Sequence, residues 1–400
     1  MERKKSCMSI NARNMDRISS LPDCILHQIL SFLDTRFAVQ TAILSKRWQN
    51  VFDTTPFLNF SYNFSEIADP LDLSANPYNE LYDRKRDGFS ECISKVLDAQ
   101  NGYDCKKIVI RCDLMLDSKF VNSVMSYAVR HKAQEIEIMA GCDDLDRIEF
   151  PESIYTSQSL EKLKLVGDEY NYMYVSRSMG FRFLKELRLH RVELSREGFS
   201  QEIFPDCPNL ELLSLVACSL ESTYYPFVLS APKLKTLEMI FLLSEKSSLR
   251  PSTVEISAPM LSYIKYEGPD PMHLILGDCA SSLEEIDIDI QDGFSNGNIR
   301  EKWVIERLIQ MLREFRNAKS VIISLNTLEV LSAIPSLLQG KESPFANLKN
   351  IQLKTSWPEL VPGWSFLLKN SPNVKASIQG DLNKVLMSET QESFRGGNNS

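Results

Sequence analysis

The sequence predicts an α/β protein, with a short helical module at the N-terminus followed by a solenoid of short parallel strands. Apolar residues recur at helical spacing between positions 21 and 48, which predicts the helices. Further along, leucine triplets recur in steps of 24, 26, 24, 27 and 22 residues, which predicts a repeated strand unit. Each repeat of a solenoid packs on its neighbours, so a chain of 400 residues can share one continuous core.

The helical module contains three predicted helices, each with a recognisable start. Pro22 suits the first helical position, where its missing N–H would have no partner anyway. Asp34 and Ser45 can cap the second and third helices, because their side-chain oxygens accept from free backbone N–H groups. Large apolar side chains follow these starts and predict wide apolar faces: Ile25, Leu26, Ile29, Leu30, Leu33, Phe37, Val39, Ile43 and Leu44.

This apolar surface is larger than the module can bury by itself. About 40 residues cannot enclose so many large side chains. Each one left in water forgoes about 1.5–3 kcal/mol. The surface must therefore meet either the rest of the chain or another protein, and the pattern alone leaves both open.

Residues 16–48 read DRISSLPDCILHQILSFLDTRFAVQTAILSKRW and resemble the F-box of plant proteins, in which DRIS-x-LPD, SFL and LSKRW recur. Two positions depart from that pattern: Asp34 stands where proline is common, and Phe52 stands where a tryptophan often follows. The resemblance implies that the module binds a Skp-type adaptor and, through it, the cullin and RING subunits of a ubiquitin ligase.

The resemblance also implies roles for individual side chains. By position it assigns adaptor contact to Leu21, Pro22, Ile25, Leu26, Ile29 and Leu30. Trp48 is expected in the core of the module, and His27 is expected to face solvent. Lys46 and Arg47 are expected to act as solubilising surface charges.

The repeats centre on L-x-x-L-x-L motifs, which begin at Leu160, Leu184, Leu210, Leu234, Leu261 and Leu283. The fullest copy, Leu210 to Leu220, reads L-x-x-L-x-L-x-x-C-x-L and resembles the leucine-rich repeat. Alternating apolar residues predict a strand with one buried face. Weaker copies bring the number to about nine to eleven, in an irregular horseshoe: Ile108, Ile136, Val321, Leu348 and Val374.

The remaining segments complete the domain map. Residues 1–14 are predicted as a disordered basic tail, 15–60 as the F-box, and 61–104 as a connector with the first repeat elements. The leucine-rich repeats occupy 105–295, with a helix near 120–129, and a first strand is predicted at 57–64. Residues 296–387 are predicted to hold divergent repeats and helices at 299–316 and 327–339, the second bent near Pro335. Residues 388–400 form a second disordered tail.

The C-terminal part resembles plant F-box proteins with leucine-rich repeats, some of which carry an FBD domain; whether that domain is present stays open.

Composition argues against nucleic-acid-binding, membrane-spanning and secreted proteins. The balance of 45 basic and 53 acidic residues argues against nucleic acid as the main partner, and no apolar run is long enough to span a membrane. Nine cysteines without a C-x-x-C pair, and no signal peptide, predict reduced thiols in the nucleus or cytoplasm rather than secretion.

Motifs for catalysis are not found. The chain has no G-x-S-x-G, phosphate-binding glycine loop or H-E-x-x-H, and its four histidines lack metal-ligand spacing. Cys218 occupies a repeat consensus position, where cysteine packs in the core. The acidic strip at 284–292 could bind a cation, but it is interpreted as the solvent-facing side of a strand. We therefore predict no catalytic, cofactor-binding or metal-binding residue, and no cofactor.

The leading hypothesis is a non-catalytic substrate receptor of an SCF-type ubiquitin ligase, in which the repeats bind a target protein for ubiquitination. Target contacts are expected at exposed strand positions, although plain solubility is the favoured explanation for each residue taken singly: Lys162, Lys164, Glu186, Arg188, Glu211, Ser214, Lys235 and Glu238. The alternative is an interaction scaffold that does not engage the ligase. A small-molecule receptor is a third class, for which no pocket is indicated. The sequence does not identify the target.

Overall fold

The computed structural model describes residues 17–64, 80–100, 102–142, 151–167, 173–176, 180–195, 202–203, 207–220, 226–241, 253–291, 302–354, 362–371 and 373–378. An N-terminal helical module is followed by a large parallel sheet, which is backed by helices and by two smaller sheets. The predicted α/β class with short parallel strands is confirmed. Both predicted tails, 1–14 and 388–400, lie outside the described residues.

The module begins with α1, Asp23–Ser31, which has Pro22 as its N-cap, one position earlier than the sequence predicts. The second helix, α2, spans Thr35–Ala38 and continues as a 3₁₀ helix over Val39–Ile43. Asp34 caps it by accepting from the Arg36 N–H. The third helix, α3, spans Lys46–Asp53, and the Ser45 hydroxyl oxygen accepts from the Trp48 N–H at 3.2 Å. Both predicted caps are confirmed.

The large sheet has twelve strands among the described residues, and all neighbours pair in parallel. The central motif leucines Leu163, Leu187, Leu213 and Leu237 pair in register, so each repeat adds one strand. Their alternate side chains fill one continuous core. In order across the sheet, the strands are β1 Phe57–Tyr62, β2 Lys107–Leu116, β3 Glu135–Cys142, β4 Lys162–Val166, β6 Glu186–His190, β9 Leu212–Val216, β12 Thr236–Ile240, β14 Tyr263–Gly268, β16 Glu285–Ile290, β17 Ser320–Ile323, β18 Asn350–Leu353 and β19 Lys375–Ile378.

Two smaller sheets form a second layer that the sequence did not predict. One contains β5 Met173–Ser176, β7 Val192–Ser195 and β10 Ser219–Leu220. The other contains β8 Glu202–Ile203, β11 Phe227–Ser230, β13 Thr253–Ser257 and β15 His273–Ile275. Leu194, Phe227 and Leu229 belong to the same buried cluster as the motif leucines. Strands of two to five residues are too short to show a clear alternation, which explains why they were missed.

The helices of the repeat region agree in part with prediction. They are α4 Glu80–Ala99, α5 Ser118–Arg130, α6 Glu152–Thr156, α7 Lys302–Glu314, α8 Leu325–Ser332 and α9 Pro362–Leu368. Helices α5, α7 and α8 lie where spacing predicts them, and a 3₁₀ turn over Pro335–Leu337 replaces the end of the predicted last helix. The 20-residue α4 lies in the segment predicted as a connector. Only four of its residues are buried, so its apolar stripe is narrow.

The helical module is joined to the large sheet through the edge strand β1. Strand β1 pairs with β2 on one side, and α2 covers its other edge. The Asp34 carboxylate accepts from the Ser61 N–H at 2.7 Å and from the Ser61 hydroxyl at 2.8 Å, while the Thr35 hydroxyl oxygen accepts from the Asn59 N–H at 2.7 Å. These side chains satisfy donors that an open sheet edge would expose.

A second tie joins α3 to the end of α4. The Gln100 side-chain amide is buried and donates to the carbonyl of Phe52 at 2.8 Å. Phe52 itself is buried in the shared core, although it departs from the tryptophan of the F-box pattern. The helical module and the large sheet therefore share one core, and packed side chains join them.

Candidate functional site

The helical module carries an exposed apolar surface. Nine large apolar side chains between residues 18 and 44 are more than a third exposed: Ile18, Ile25, Ile29, Phe32, Leu33, Phe37, Val39, Ile43 and Leu44. Phe32 and Ile43 are the most exposed, at 85% and 86%. Only six other large apolar side chains in the described part of the chain are more than a third exposed, and they are spread from residue 81 to 303. Such a concentration marks a protein-binding surface. We call these nine side chains the apolar module surface.

The predicted adaptor contacts divide between this surface and the core. Ile25 and Ile29 are exposed on α1, Pro22 is exposed, and Leu21 is half-buried against the core. Two other predicted contacts, Leu26 and Leu30, are buried at 0% and 3% exposure. In the folded chain these two leucines pack inward, toward α3 and β1, and present no surface to a partner. The prediction that Leu26 and Leu30 belong to the exposed adaptor-binding surface is therefore corrected.

Sequence reasoning left the most exposed side chains of the module unassigned. Phe32, Phe37, Ile43 and Leu44 follow the first stripe, and their apolar character was visible as surplus surface. The short α2 and its 3₁₀ extension bury no more than a few of their own residues. A run of large apolar residues on a helix too short to enclose them was the available signal.

Arg47 and Trp48 fix the segment that leads into α1. The Arg47 guanidinium donates to the carbonyls of Ser19 and Leu21, and to the Asp23 carboxylate at 2.8 Å. The buried Trp48 donates through Nε1 to the Ser19 hydroxyl oxygen at 2.9 Å. Trp48 is therefore a core residue, as predicted. The prediction that Arg47 only solubilises the helix is wrong, because it holds the Leu21–Pro22 start in place.

His27 is half-buried and connects two helices, so the prediction that it faces solvent is wrong. Its Nε2 lies 3.1 Å from the carbonyl oxygen of Val51 and 3.2 Å from the Thr54 hydroxyl oxygen. Both partners belong to the end of α3. The ring therefore fixes α1 against α3, and it is not part of the apolar module surface.

The large sheet has one face that the described helices and small sheets leave uncovered, and we call it the open face. Its side chains alternate with the buried leucines, and one of its rows runs in register through Glu137, Lys164, Arg188, Ser214 and Glu238. The predicted target contacts on this face are exposed or half-buried, except Ser214: Lys162, Lys164, Glu186, Arg188 and Glu238.

Three predicted target contacts are placed differently from expectation. Ser214 is only 3% exposed, because Arg188 and Glu238 flank it on neighbouring strands and approach each other to 3.5 Å. Its prediction as an exposed contact is wrong. Glu211 and Lys235 lie in the turns just before β9 and β12, where they form a 2.7 Å ion pair with each other. They belong to the rim of the sheet and not to its open face.

On the first half of the open face, from β2 to β6, two carboxylates are each paired with two cations. Glu137 pairs with Lys164 at 2.9 Å and with Arg111 at 3.0 Å. Glu186 pairs with Arg188 at 2.6 Å and with Lys162 at 3.4 Å. Burial alone would raise the pKa of Glu137, but hydrogen bonding from Lys164 and the charge of Arg111 outweigh it and lower the pKa. In this region cations outnumber the carboxylates that they pair with.

On the second half of the open face, from β9 to β18, one cation is shared by two carboxylates. Lys354 pairs with Asp287 at 2.8 Å and with Asp289 at 3.4 Å. Burial would lower the pKa of Lys354, but the two carboxylates outweigh it and raise the pKa. Burial, together with the nearby charges of Asp287 and Glu238, raises the pKa of Tyr263 to about 12. The carboxylates thus dominate the local electrostatics.

Groups that could perform chemistry are sparse in the described ranges. They contain no cluster of three His, Cys, Asp or Glu side chains that could hold a metal ion. Burial raises the pKa of the Cys105 and Cys112 thiols to about 12, so both stay protonated at neutral pH. Cys218 is buried and its thiol lies 3.4 Å from the carbonyl oxygen of Leu189, the packing position that was predicted. None of the described helices is long and apolar enough to cross a lipid bilayer.

A helical module with an exposed apolar surface, fixed to the edge of a repeat solenoid, defines a class of protein that connects two partners. Two family models match these two parts. The F-box domain matches residues 18–60, and the leucine-rich-repeat domain described as At1g61320/AtMIF1 matches residues 96–332. The second match covers more than half of the chain, so the chain belongs to this leucine-rich-repeat family and carries an F-box before the repeats. An F-box domain implies a Skp-type adaptor as its partner.

Relatives in Arabidopsis thaliana carry the same two names. The chain is 27% identical over 373 residues to the putative F-box/LRR-repeat protein At5g02930, covering 90% of this chain and 71% of the relative. It is 28% identical over 272 residues to the F-box/FBD/LRR-repeat protein At3g51530, covering 68% of this chain and 54% of the relative. The matches support a general F-box/LRR adaptor role.

Proposed function

We propose that this chain is the substrate-recognition subunit of an SCF-type ubiquitin ligase. Its F-box binds a Skp-type adaptor, which brings the cullin and RING subunits, and its leucine-rich repeats bind a target protein. The observation that carries the proposal is the apolar module surface, which is left open although the module shares its core with the sheet. Each large side chain buried at an interface contributes about 1.5–3 kcal/mol, so the surface has the composition of a docking site.

In this proposal the chain itself is not catalytic and acts by proximity. Binding a target beside the ubiquitin-charged enzyme raises its effective concentration, to the millimolar range for short connections. The ties from Asp34 and Thr35 to β1, and from Gln100 to Phe52, support this role because they fix the repeats relative to the F-box. A target on the sheet would then be held at a defined position.

The test uses the purified full chain and a purified Skp-type adaptor in a titration calorimeter. We expect the double variant Phe32→Ala with Ile43→Ala to weaken binding at least about a hundredfold, because two large side chains lose their burial. Met260→Ala is the matched control, since Met260 is 50% exposed but lies in the repeats. Full adaptor affinity in the double variant, with circular dichroism unchanged, would contradict the proposal and favour a scaffold that does not engage the ligase.

We also propose that the protein works in the nucleus, the cytoplasm, or both. The seven cysteines that the structure describes are free thiols, which fits a reducing compartment. A fluorescent fusion of the full chain tests this proposal, and an exclusively secretory signal would contradict it.

A further inference from the structure

The open face changes the sign of its charge from one half to the other. From β2 to β6 its strand positions carry five cations against four carboxylates, a net charge of +1: Lys107, Arg111, Lys162, Lys164, Arg188, Asp113, Glu135, Glu137 and Glu186. From β9 to β18 they carry two cations, counting Lys354 at the end of β18, against five carboxylates, a net charge of −3: Lys265, Lys354, Glu238, Glu267, Glu285, Asp287 and Asp289.

The ion pairs confirm that this asymmetry is local. On the first half, the carboxylates of Glu137 and Glu186 are each shared by two cations, so cationic capacity is left over. On the second half, the Lys354 ammonium is shared by two carboxylates. Charges beyond about 10 Å are screened at moderate salt, so a bound partner meets each half separately.

An apolar band lies along the same face, at the carboxyl ends of the central strands. Met139, Val166, Val216 and Ile240 occupy one register row that runs from β3 to β12, with His190 between them. These side chains point away from the leucine core, because they alternate with it along each strand. Met139, Val216 and Ile240 are half-buried, so apolar surface remains open on a face that is otherwise charged.

We propose that the open face binds an extended, charge-segregated segment of a target protein. The segment crosses the strands, with its acidic side chains over β2–β6, its apolar side chains on the band, and its basic side chains over β14–β16. The inference rests on the proposed role of the repeats in target binding and adds the chemistry of the target. Charge complementarity supports the proposal. A segment with the opposite charge asymmetry is attracted to both halves of the open face, whereas a uniformly charged segment is repelled by one half.

Strand geometry gives the length of the segment. The centres of the cationic and acidic regions, β4 and β14, are four strands apart in the sheet. Neighbouring strands are about 4.8 Å apart, so the separation is about 19 Å. An extended chain covers about 3.3 Å per residue, so the centres of the acidic block and the basic block lie about six residues apart. The direction of the segment along the sheet is set by its charges and not by its N-to-C polarity.

The test uses fluorescent synthetic peptides and the full chain, with binding followed by fluorescence anisotropy. The first probe has an acidic block and a basic block whose centres lie about six residues apart, with apolar and neutral residues between them, which is the spacing that strand geometry requires. The second probe has the same composition with its charges alternating, and the third is basic throughout. We expect the block peptide to bind about tenfold more tightly than either control. Equal affinity for the three probes, or no binding of the block peptide, would overturn the proposal.

Paired substitutions locate the binding surface. Asp289→Asn with Glu267→Gln removes two negative charges from the open face, and we expect block-peptide affinity to fall about tenfold. Glu284→Gln with Glu306→Gln removes the same charge from the rim and from α7, and affinity should be unchanged. Lys107→Gln with Lys162→Gln tests the cationic half and provides a second variant should the first fold poorly. An equal effect of rim and open-face pairs would overturn the assignment.

Adaptor affinity is measured on the same samples, which separates this inference from the proposed function. A chain that retains the adaptor but does not discriminate between peptides contradicts the charge-segregated partner alone. A chain that discriminates between peptides but does not bind the adaptor contradicts the ligase role, and it leaves the open face as a binding surface for such segments.

Discussion

Replacing Asp34 by alanine should weaken the junction between the F-box and the edge of the repeat sheet. The Asp34 carboxylate accepts from the Arg36 N–H at 2.8 Å, from Arg36 Nε at 2.9 Å, and from the N–H and hydroxyl of Ser61 at 2.7 and 2.8 Å. One side chain therefore caps α2, holds an arginine and satisfies the open edge of β1. It stands where related F-box sequences often have proline, which could supply none of these bonds.

The expected cost follows from these contacts. Losing a helix cap costs about 0.5–2 kcal/mol. Hydrogen bonds to a charged acceptor contribute about 1.5–3 kcal/mol each, but bonds made by one group are not additive. We therefore expect Asp34→Ala to lower the free energy of unfolding of this junction by about 3 kcal/mol. That value corresponds to amide exchange at Ser61 that is roughly a hundredfold faster.

Hydrogen exchange followed by mass spectrometry measures this effect in peptides that cover β1. Asp53→Ala is the matched control, because Asp53 is a half-buried acid on α3 and makes none of the contacts described above. We expect the control to change local stability by less than about 0.5 kcal/mol. Exchange in β1 that is the same in Asp34→Ala as in Asp53→Ala would refute the coupling argument.

The same carboxylate gives a pH dependence with a definite sign. Burial alone would raise the pKa of Asp34, but hydrogen bonds from Arg36 and Ser61 outweigh it and hold the pKa below 3.8. A group whose pKa is lower in the folded chain stabilises the fold above its unfolded pKa of about 3.9. The difference in urea stability between wild type and Asp34→Ala should be complete at pH 7 and should shrink as the pH falls through the folded pKa. A difference that is constant from pH 7 to pH 2 would contradict this assignment.

Three further substitutions test other parts of the structure. Arg47→Ala should weaken adaptor binding about tenfold, because the Leu21–Pro22 start loses its anchor, whereas Lys46→Ala should not; calorimetry separates them. Lys354→Ala should lower the free energy of unfolding by about 3 kcal/mol in urea titrations, since two carboxylates lose their shared cation. Gly363→Ala should cost about 1–3 kcal/mol in the same assay, because its Cβ would lie 2.7 Å from the Ser332 Oγ.

The sequence predicted the parts of the fold that depend on local signals. The caps at Asp34 and Ser45 depend on one side chain and its own helix, and both were found. The motif strands depend on an alternation that recurs with a regular period, and they also were found. The small sheets and α4 were missed, because short strands and a narrow apolar stripe give little local signal.

The functional surface was predictable only in outline. Spacing on α1 gives two stripes, one through Ile25 and Ile29 and one through Leu26 and Leu30, but it does not say which faces the rest of the chain. That choice depends on β1 and α3, which come later in the sequence and pack on α1 in the folded chain. The role of Arg47 depends on partners 24 to 28 residues away, which no local pattern reveals.

The continuous parallel pairing of the large sheet sets regular distances from the F-box, which lies beside its first strand. Each strand beyond β1 adds about 4.8 Å, so β14, seven strands along, lies roughly 34 Å from the module before any curvature. Two ligands that bind one strand apart are thus offset by about 5 Å relative to the apolar module surface. A deletion of one whole repeat would remove one strand from the large sheet and shorten this distance by about 4.8 Å.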